Sequence, residues 1–297
     1  MTRLPEVSPE GWRALHARGA APFQAALAAL GTAWNRTGHW ERMTGGEDSV
    51  VFAQGDVVVK LVPPFSRRDA ERETAVLARL ALPVPTPRVF DVRSLDGWTA
   101  VLVSRLPGVP AASVWPRVPH AERLDIARTL GETLSAIWAT PLEPSDGDAS
   151  ALHARLVAEA RRHESDGLRD VGTFVTQRLV SPSPAPTLVH LDLTDENVLL
   201  ERRDDRWRVA GVLDFVAARA SYPPLDLVTP GIFFGGHDDS VRRALVEGSR
   251  IELRNPLELA GWHAIHPFAA LLRDLTRGGA PAGTPIEAAL DAMWAVG

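Results

Sequence analysis

Apolar residues follow two different periods along the first third of the chain. Up to residue 31 they recur at helical spacing. "SPEGWRALHARG" offers Ser8 as an N-cap, Pro9 at the first helical position and a stop at Gly19; "APFQAALAALG" continues the pattern and stops at Gly31. From residue 40 the period shortens to two. "WERMTGGEDSVVFAQGDVVVKLV" reads as a strand, a Gly-Gly turn, a strand, a short turn at Gly55-Asp56 and a third strand. "SRRDAERETAVLARL" then predicts a helix with Ser66 as its N-cap and Ala75, Leu77 and Leu80 on its apolar face. "PVPTPRVFDV" is a proline-broken connector into a strand, and "GWTAVLVSRLPG" is another strand, ending at the Pro107-Gly108 turn.

Beyond Gly108 helical spacing dominates, near 119–139, 148–167 and 255–278. One strand pair interrupts it, "PTLVHLDLTDENVLL" and "RWRVAGVLDF", joined through the polar turn "ERRDD". The order predicts an α+β chain with two lobes. Residues 1–108 hold the N-terminal helices and a small antiparallel sheet, with a hinge at 104–108. Residues 109–297 form a larger, mainly helical part around a hairpin. Ligands commonly sit in the cleft of such two-lobed arrangements.

Composition narrows the function classes. The 297 residues are 45% hydrophobic and 23% charged, with no cysteine. Disulfides and thiolate metal sites are therefore excluded, and a reducing cytoplasm is expected. No run of 18 apolar residues suggests a membrane span, and "MTRLPEVSPEGW" has no apolar core of a signal peptide. The net charge of −5 argues against a nucleic-acid partner. That charge is uneven. Residues 1–108 carry 13 basic against 11 acidic side chains, and residues 109–297 carry 19 against 26. The acidic part would attract a cationic small molecule, or is simply a solvated acidic surface. The oligomeric state is left open.

The chain has 32 Lys and Arg residues, and Lys60 is its single lysine. Lysine offers a compact ammonium where arginine offers a rigid fork, so a lone lysine at the end of a β-branched run marks a place where the fork does not fit. The alternative is chance. The next helix carries Glu71 and Glu73. Glu73 precedes Leu77 by four and Leu80 by seven, which sets it on their face and makes it the favoured partner for Lys60. A solvent-exposed helical glutamate is the plain alternative.

"HLDLTDENVLL" spaces His190, Asp192 and Asn197 as His-x-Asp-x-x-x-x-Asn. A carboxylate at Asp192 can orient an acceptor hydroxyl and take its proton. An amide oxygen at Asn197 can hold magnesium without adding negative charge beside phosphates. Asp214 leaves the apolar run "GVLDF" one hairpin later, so it can return beside Asn197 as a principal magnesium ligand. Singly each motif is weak; a strand-end Asp is usually a turn residue. Their order and spacing make the signal.

These residues resemble the aminoglycoside phosphotransferase and choline-kinase-like branch of the protein-kinase-like fold. The resemblance runs from "TGGEDSVVFAQGDVVVK" through "ERETAVLARL", "VLVSRLPG" and "LVHLDLTDENVLL" to "GVLDFVAARASYPPLDL", about residues 44–228. It implies a kinase that uses ATP or GTP with Mg2+ to phosphorylate a small molecule. By motif, Lys60 would hold phosphates, Glu73 would pair with it, and Asp192 would be the catalytic base. Asn197 and Asp214 would be the metal ligands. His190 would brace the loop, and Asp226 would support it without touching substrate. Backbone groups at Gly45, Gly46 and Ser49 would contact phosphate, unless "TGGEDS" is a plain hairpin turn. Ser104 and Leu106 would meet the nucleotide base.

The chain departs from the family in having Leu191 where glycine is frequent, and only two glycines in its phosphate loop. An aminoglycoside or other amine-bearing acceptor suits the acidic part; choline-like amines, homoserine, sugars and macrolides stay open. A catalytically silent nucleotide-binding pseudokinase is the rival reading, and a protein kinase is disfavoured because too few residues separate Asp214 from "SYPPLDL". Further residues invite a role. His263 and His266 are spaced like a metal pair without a third ligand, and could reach the acceptor. "GGHDDS" reads as a loop, with Asp239 or Ser240 capping the helix after it. Trp262 and Trp294 could stack on a ligand, but core packing is their ordinary use.

Overall fold

The change of period near residue 40 marks where the chain leaves two helices and enters a sheet. The computed structural model describes residues 4–43, 48–164, 167–168, 170–179, 185–255 and 257–295. The chain divides into two units, Met1–Ala78 with Thr86–Leu106, and Arg79–Pro85 with Pro107–Gly297. The sequence alone assigns residues 79–85 to the first unit. In the structure they belong to the second, where Arg79 pairs with Glu143 and Asp146 and the Pro85 carbonyl accepts from the Val212 amide at 3.0 Å.

The first unit begins with α1 (Pro9–His16), whose N-cap Ser8 accepts from the Gly11 amide, and α2 (Gln24–Ala33). α2 runs past Gly31. That glycine serves a close approach rather than a stop: a Cβ there would lie 2.5 Å from the Arg36 carbonyl, where the chain folds back. The sheet comprises β1 (Glu41–Arg42), β2 (Val50–Gln54), β3 (Val57–Val62), β4 (Val89–Leu95) and β5 (Trp98–Ser104), in the antiparallel order β1-β2-β3-β5-β4.

Strand alternation sorts β3 between two apolar clusters. Val57, Val59 and Leu61 join Phe23, Leu27, Phe52 and Trp98. Val58 and Val62 join Ala70, Val101 and Val103 on the other face. Lys60 shares the parity of Val58 and Val62, so it projects toward α3 (Arg67–Leu77), the helix that carries Ala70. Ser66 does not cap α3 with its side chain; a 3₁₀ turn, Pro64–Ser66, leads into the helix instead. The buried stripe of α3 is Ala70, Glu73 and Val76, while Ala75, Leu77 and Leu80 are only half-buried. The stripe is rotated from the expected face, yet still contains Glu73.

In the second unit the elements are β6 (Val109–Pro110), α4 (Ala111–Val114), α5 (His120–Trp138), α6 (Ala149–Glu159), α7 (Val171–Arg178), β7 (Thr187–Val189), β8 (Val198–Arg203), β9 (Arg206–Val212), β10 (Arg219–Ser221), α8 (Val228–Phe233), α9 (Asp239–Ser249), α10 (Glu258–Ile265), α11 (Leu271–Arg277) and α12 (Ile286–Trp294). β8 and β9 form the expected hairpin, turned at Asp204 and Asp205, both with positive φ. β6 extends it beside β8. A second ribbon pairs β7, which lies within the forecast strand "PTLVHLDLTDENVLL", with β10, a strand of three residues that no sequence pattern forecasts.

α5 and α9 meet backbone to backbone. A Cβ on Gly131 would lie 2.2 Å from the Leu245 carbonyl. Asp238, rather than Asp239 or Ser240, caps α9, accepting from the Ser240 and Val241 amides. The helical stretch forecast over 255–278 breaks in two at His266, whose extended backbone (ψ 133°) is the conformation favoured before Pro267.

Candidate functional site

In the first unit the site is one ion pair. The Lys60 ammonium lies 2.8 Å from Glu73 Oε1 and 2.7 Å from Oε2. Glu73 is 3% exposed, and a carboxylate that deep requires such a partner. Glu71 instead pairs with Arg67 on the exposed face of α3. Ser49 is buried just before β2. Gly45 and Gly46 lie outside the described residues. At the other end of the sheet, the Ser104 amide donates to the Arg88 carbonyl at 2.9 Å, and its hydroxyl accepts from the Arg88 amide at 2.9 Å. Leu106, two residues beyond β5, is half-buried.

In the second unit the site is built on backbone. β7 ends at Val189, and the next two amides, of His190 and Leu191, donate to Asp226 at 2.9 and 2.7 Å. The Trp138 indole donates to the same carboxylate at 3.0 Å. Asp226 is wholly buried. Burial pushes its pKa up, and His190 together with these three donors pulls the other way. The His190 ring is fixed at both ends. Its Nε2 faces the Leu213 carbonyl at 3.0 Å and must donate to it, which leaves Nδ1 to accept from the Asp192 amide at 3.2 Å.

Leu191 takes a left-handed backbone (φ 67°), a conformation that glycine adopts at less cost than leucine. Its carbonyl accepts from the Thr229 hydroxyl at 3.3 Å. The Asn197 amide nitrogen donates to the Asp192 carbonyl at 2.8 Å and to its carboxylate at 3.1 Å. The Leu213 amide donates to the Asn197 carbonyl at 2.8 Å, which brings Asp214, also left-handed (φ 61°), back beside that loop.

Asp192, Asn197 and Asp214 are thus brought together, as their spacing predicts. Asn197 spends its NH₂ on Asp192, so its oxygen is the atom turned elsewhere. An amide oxygen and a carboxylate, as Asn197 and Asp214 offer, are hard-oxygen donors of the kind magnesium accepts alongside phosphate oxygens. Among the described residues no group of three His, Cys, Asp or Glu side chains could hold a metal by itself. Asn197 and Asp214 could hold magnesium together with phosphate oxygens.

Beside Asp192 opens a cavity of about 190 Å³ whose walls include Thr229, Phe233, His266, Phe268 and Arg273. None of these was assigned a pocket role by sequence except His266, and no motif marks them. His266 is buried beside His263, and burial holds its pKa down to about 3, so it is neutral. Its Nδ1 accepts from the Phe268 amide at 3.2 Å. His263 does not line the cavity. It lies between Asp274, 3.2 Å from Nε2, and the Trp294 indole, which donates to Nδ1 at 3.0 Å. Trp262 and Trp294 are both fully buried, so packing accounts for them.

Comparison with solved structures finds the same fold. The chain is similar to a GDP complex of wild-type aminoglycoside 2′-phosphotransferase-IIIa, at 17% identity and a TM-score of 0.69, covering 92% of this chain and 98% of that one. It is similar to the macrolide 2′-phosphotransferase MphH from Brachybacterium faecium, at 20% and 0.59, covering 90% and 97%. It is also similar to a choline/ethanolamine kinase family protein from Mesorhizobium loti, at 17% and 0.56, covering 94% and 99%. No curated protein sequence matches. The model of the phosphotransferase enzyme family matches residues 39–268, which span Lys60, Glu73, His190, Asp192, Asn197, Asp214 and Asp226, and the chain belongs to that family.

Proposed function

We propose that the protein is a small-molecule kinase that transfers the γ-phosphoryl group of ATP or GTP to an acceptor hydroxyl. The observation that carries this reading is the Asp192 loop. The Asp192 carboxylate accepts from Asn197, its amide donates to the His190 ring, and the backbone before it is pinned to buried Asp226, which is how a base is kept in one orientation. Fold neighbours crystallised with GDP support a nucleotide donor.

Asp192 would align the acceptor hydroxyl and receive its proton as the phosphoryl group departs in line. Lys60, steadied by Glu73, would hold α- and β-phosphate oxygens, and backbone near Gly45, Gly46 and Ser49 would cover them. Ser104 and Leu106 would border the base. Of these, Leu106 is the stronger candidate for a backbone contact, since the Ser104 amide already donates to Arg88. Asn197 and Asp214 would hold Mg2+, which when bound neutralises charge on the phosphate oxygens. The absence of cysteine agrees with work in a reducing cytoplasm. Net charge alone, acidic over residues 109–297, would favour an amine-bearing acceptor.

Asp192→Asn tests the reading. Magnesium-dependent nucleotide consumption, measured with a coupled assay across a panel of hydroxyl compounds, is expected to fall at least a hundredfold while nucleotide still binds. No consumption in the wild type with nucleotide bound would leave the silent nucleotide-binding protein as the better account, and consumption unchanged in Asp192→Asn would remove Asp192 as the base.

A further inference from the structure

Resting on the phosphotransferase reading, we propose that the cavity beside Asp192 takes an uncharged hydroxyl compound with an apolar body and turns away polyammonium sugars. Ile232, Phe233, Phe268 and Ala269 give the cavity hydrocarbon walls. Phe268 is 51% exposed, so apolar surface continues from the interior outward. A hydroxyl carried on hydrocarbon can bury against these walls while its oxygen reaches Asp192.

The charges in the walls point the same way. Besides Asp192, the carboxylate lining the cavity is Asp274. One Asp274 oxygen accepts from the His263 ring at 3.2 Å and from the Ala270 amide at 2.8 Å; the other faces the Arg273 guanidinium at 3.6 Å. Its oxygens are already engaged. Burial alone would raise the pKa of Asp274, but His263, the Ala270 amide and Arg273 together hold it below the usual range. His266 is neutral, as shown above. Arg273 is the charged group of the wall that faces water, with its side chain 69% exposed. The face of Phe233 on which an ammonium could rest is taken by the Arg277 guanidinium, 4.2 Å from the ring centre. An entering polycation would meet the Arg273 guanidinium, and both lining carboxylates already accept hydrogen bonds, Asp274 from His263 and Ala270 and Asp192 from Asn197. The lining holds two carboxylates against one guanidinium, so little of the acidic surplus of residues 109–297 resides in this cavity.

The test compares kanamycin, a polyamine, with a panel of uncharged alcohols: benzyl alcohol, cyclohexanemethanol, menthol and an uncharged glycoside. The full chain is assayed with nucleotide and magnesium. The best uncharged compound is expected to exceed kanamycin at least tenfold in kcat/KM, and Arg273→Glu is expected to move that ratio about tenfold toward kanamycin. A wild type that prefers kanamycin, or a ratio that Arg273→Glu leaves unmoved in a protein of unchanged melting, overturns the assignment. Where no transfer is seen, calorimetry on the nucleotide-loaded protein decides. Kanamycin binding tighter than about 100 μM, or failure of the whole uncharged panel to bind, overturns it; binding by an uncharged compound alone supports it. Loss of the phosphotransferase reading shows separately, as nucleotide consumption that does not depend on Asp192 with any compound.

Discussion

The two units hold their polar residues by opposite means. In the first, Lys60 and Glu73 hold each other, side chain to side chain, across a strand and a helix. In the second, Asp226 holds not a side chain of the site but the amides of His190 and Leu191, and through them the loop that carries Asp192. A pair of side chains can be edited and re-solvated locally. A backbone anchored from below cannot, because its donors remain buried whatever replaces the anchor. The first arrangement leaves a pair that can exchange partners. The second keeps the loop that carries Asp192 in one place.

The largest expected effect follows from this contrast. Asp226→Asn puts an NH₂ where two amides and an indole donate, and should lower stability by about 3 kcal/mol, read from denaturant midpoints. A change under about 1 kcal/mol would mean that the loop holds itself. Glu73→Gln should cost about 1.5 kcal/mol, because Lys60 keeps some access to water, and should raise the nucleotide KM about tenfold. Equal losses from both substitutions would erase the distinction between the units.

A pH series sharpens it further. His266 has its folded pKa depressed to about 3, so between roughly pH 6.5 and 3 the unfolded chain binds a proton that the folded one refuses. Its contribution to stability is thus intact above pH 6.5 and should erode as pH falls, by up to about 1.4 kcal/mol per unit. His263, Asp274 and Arg162 surround it, and the acid limb should flatten in His266→Gln. The smallest effect is expected from Leu191→Gly. Relief of a left-handed backbone, about 1 kcal/mol, offsets much of the lost burial of the leucine, so the net change should stay near 1 kcal/mol.

How much of this was legible in sequence depended on whether a residue's role is local. The strands of the first unit announce themselves by alternation, and Lys60, Glu73, Asp192, Asn197 and Asp214 by type and spacing. Helix starts were read less well. Ser66 has the right chemistry for a cap but the wrong backbone, φ −104° and ψ 14° rather than extended, and α9 starts from Asp238 because three polar residues in a row offer equivalent oxygens. Gly31 looked like a stop because sequence shows a missing side chain and not the Arg36 carbonyl that fills its space. The cavity walls were invisible for a related reason. Thr229, Phe233, Phe268 and Arg273 come from α8, α11 and the bend between α10 and α11, and no periodicity links them.

The lone lysine gives this molecule one further property. Apart from any terminal amine, reductive methylation with a carbon-13 reagent would install a single pair of methyl groups in the whole chain, on an ammonium clasped by Glu73. One resonance would then report, without assignment, each time that clasp loosens.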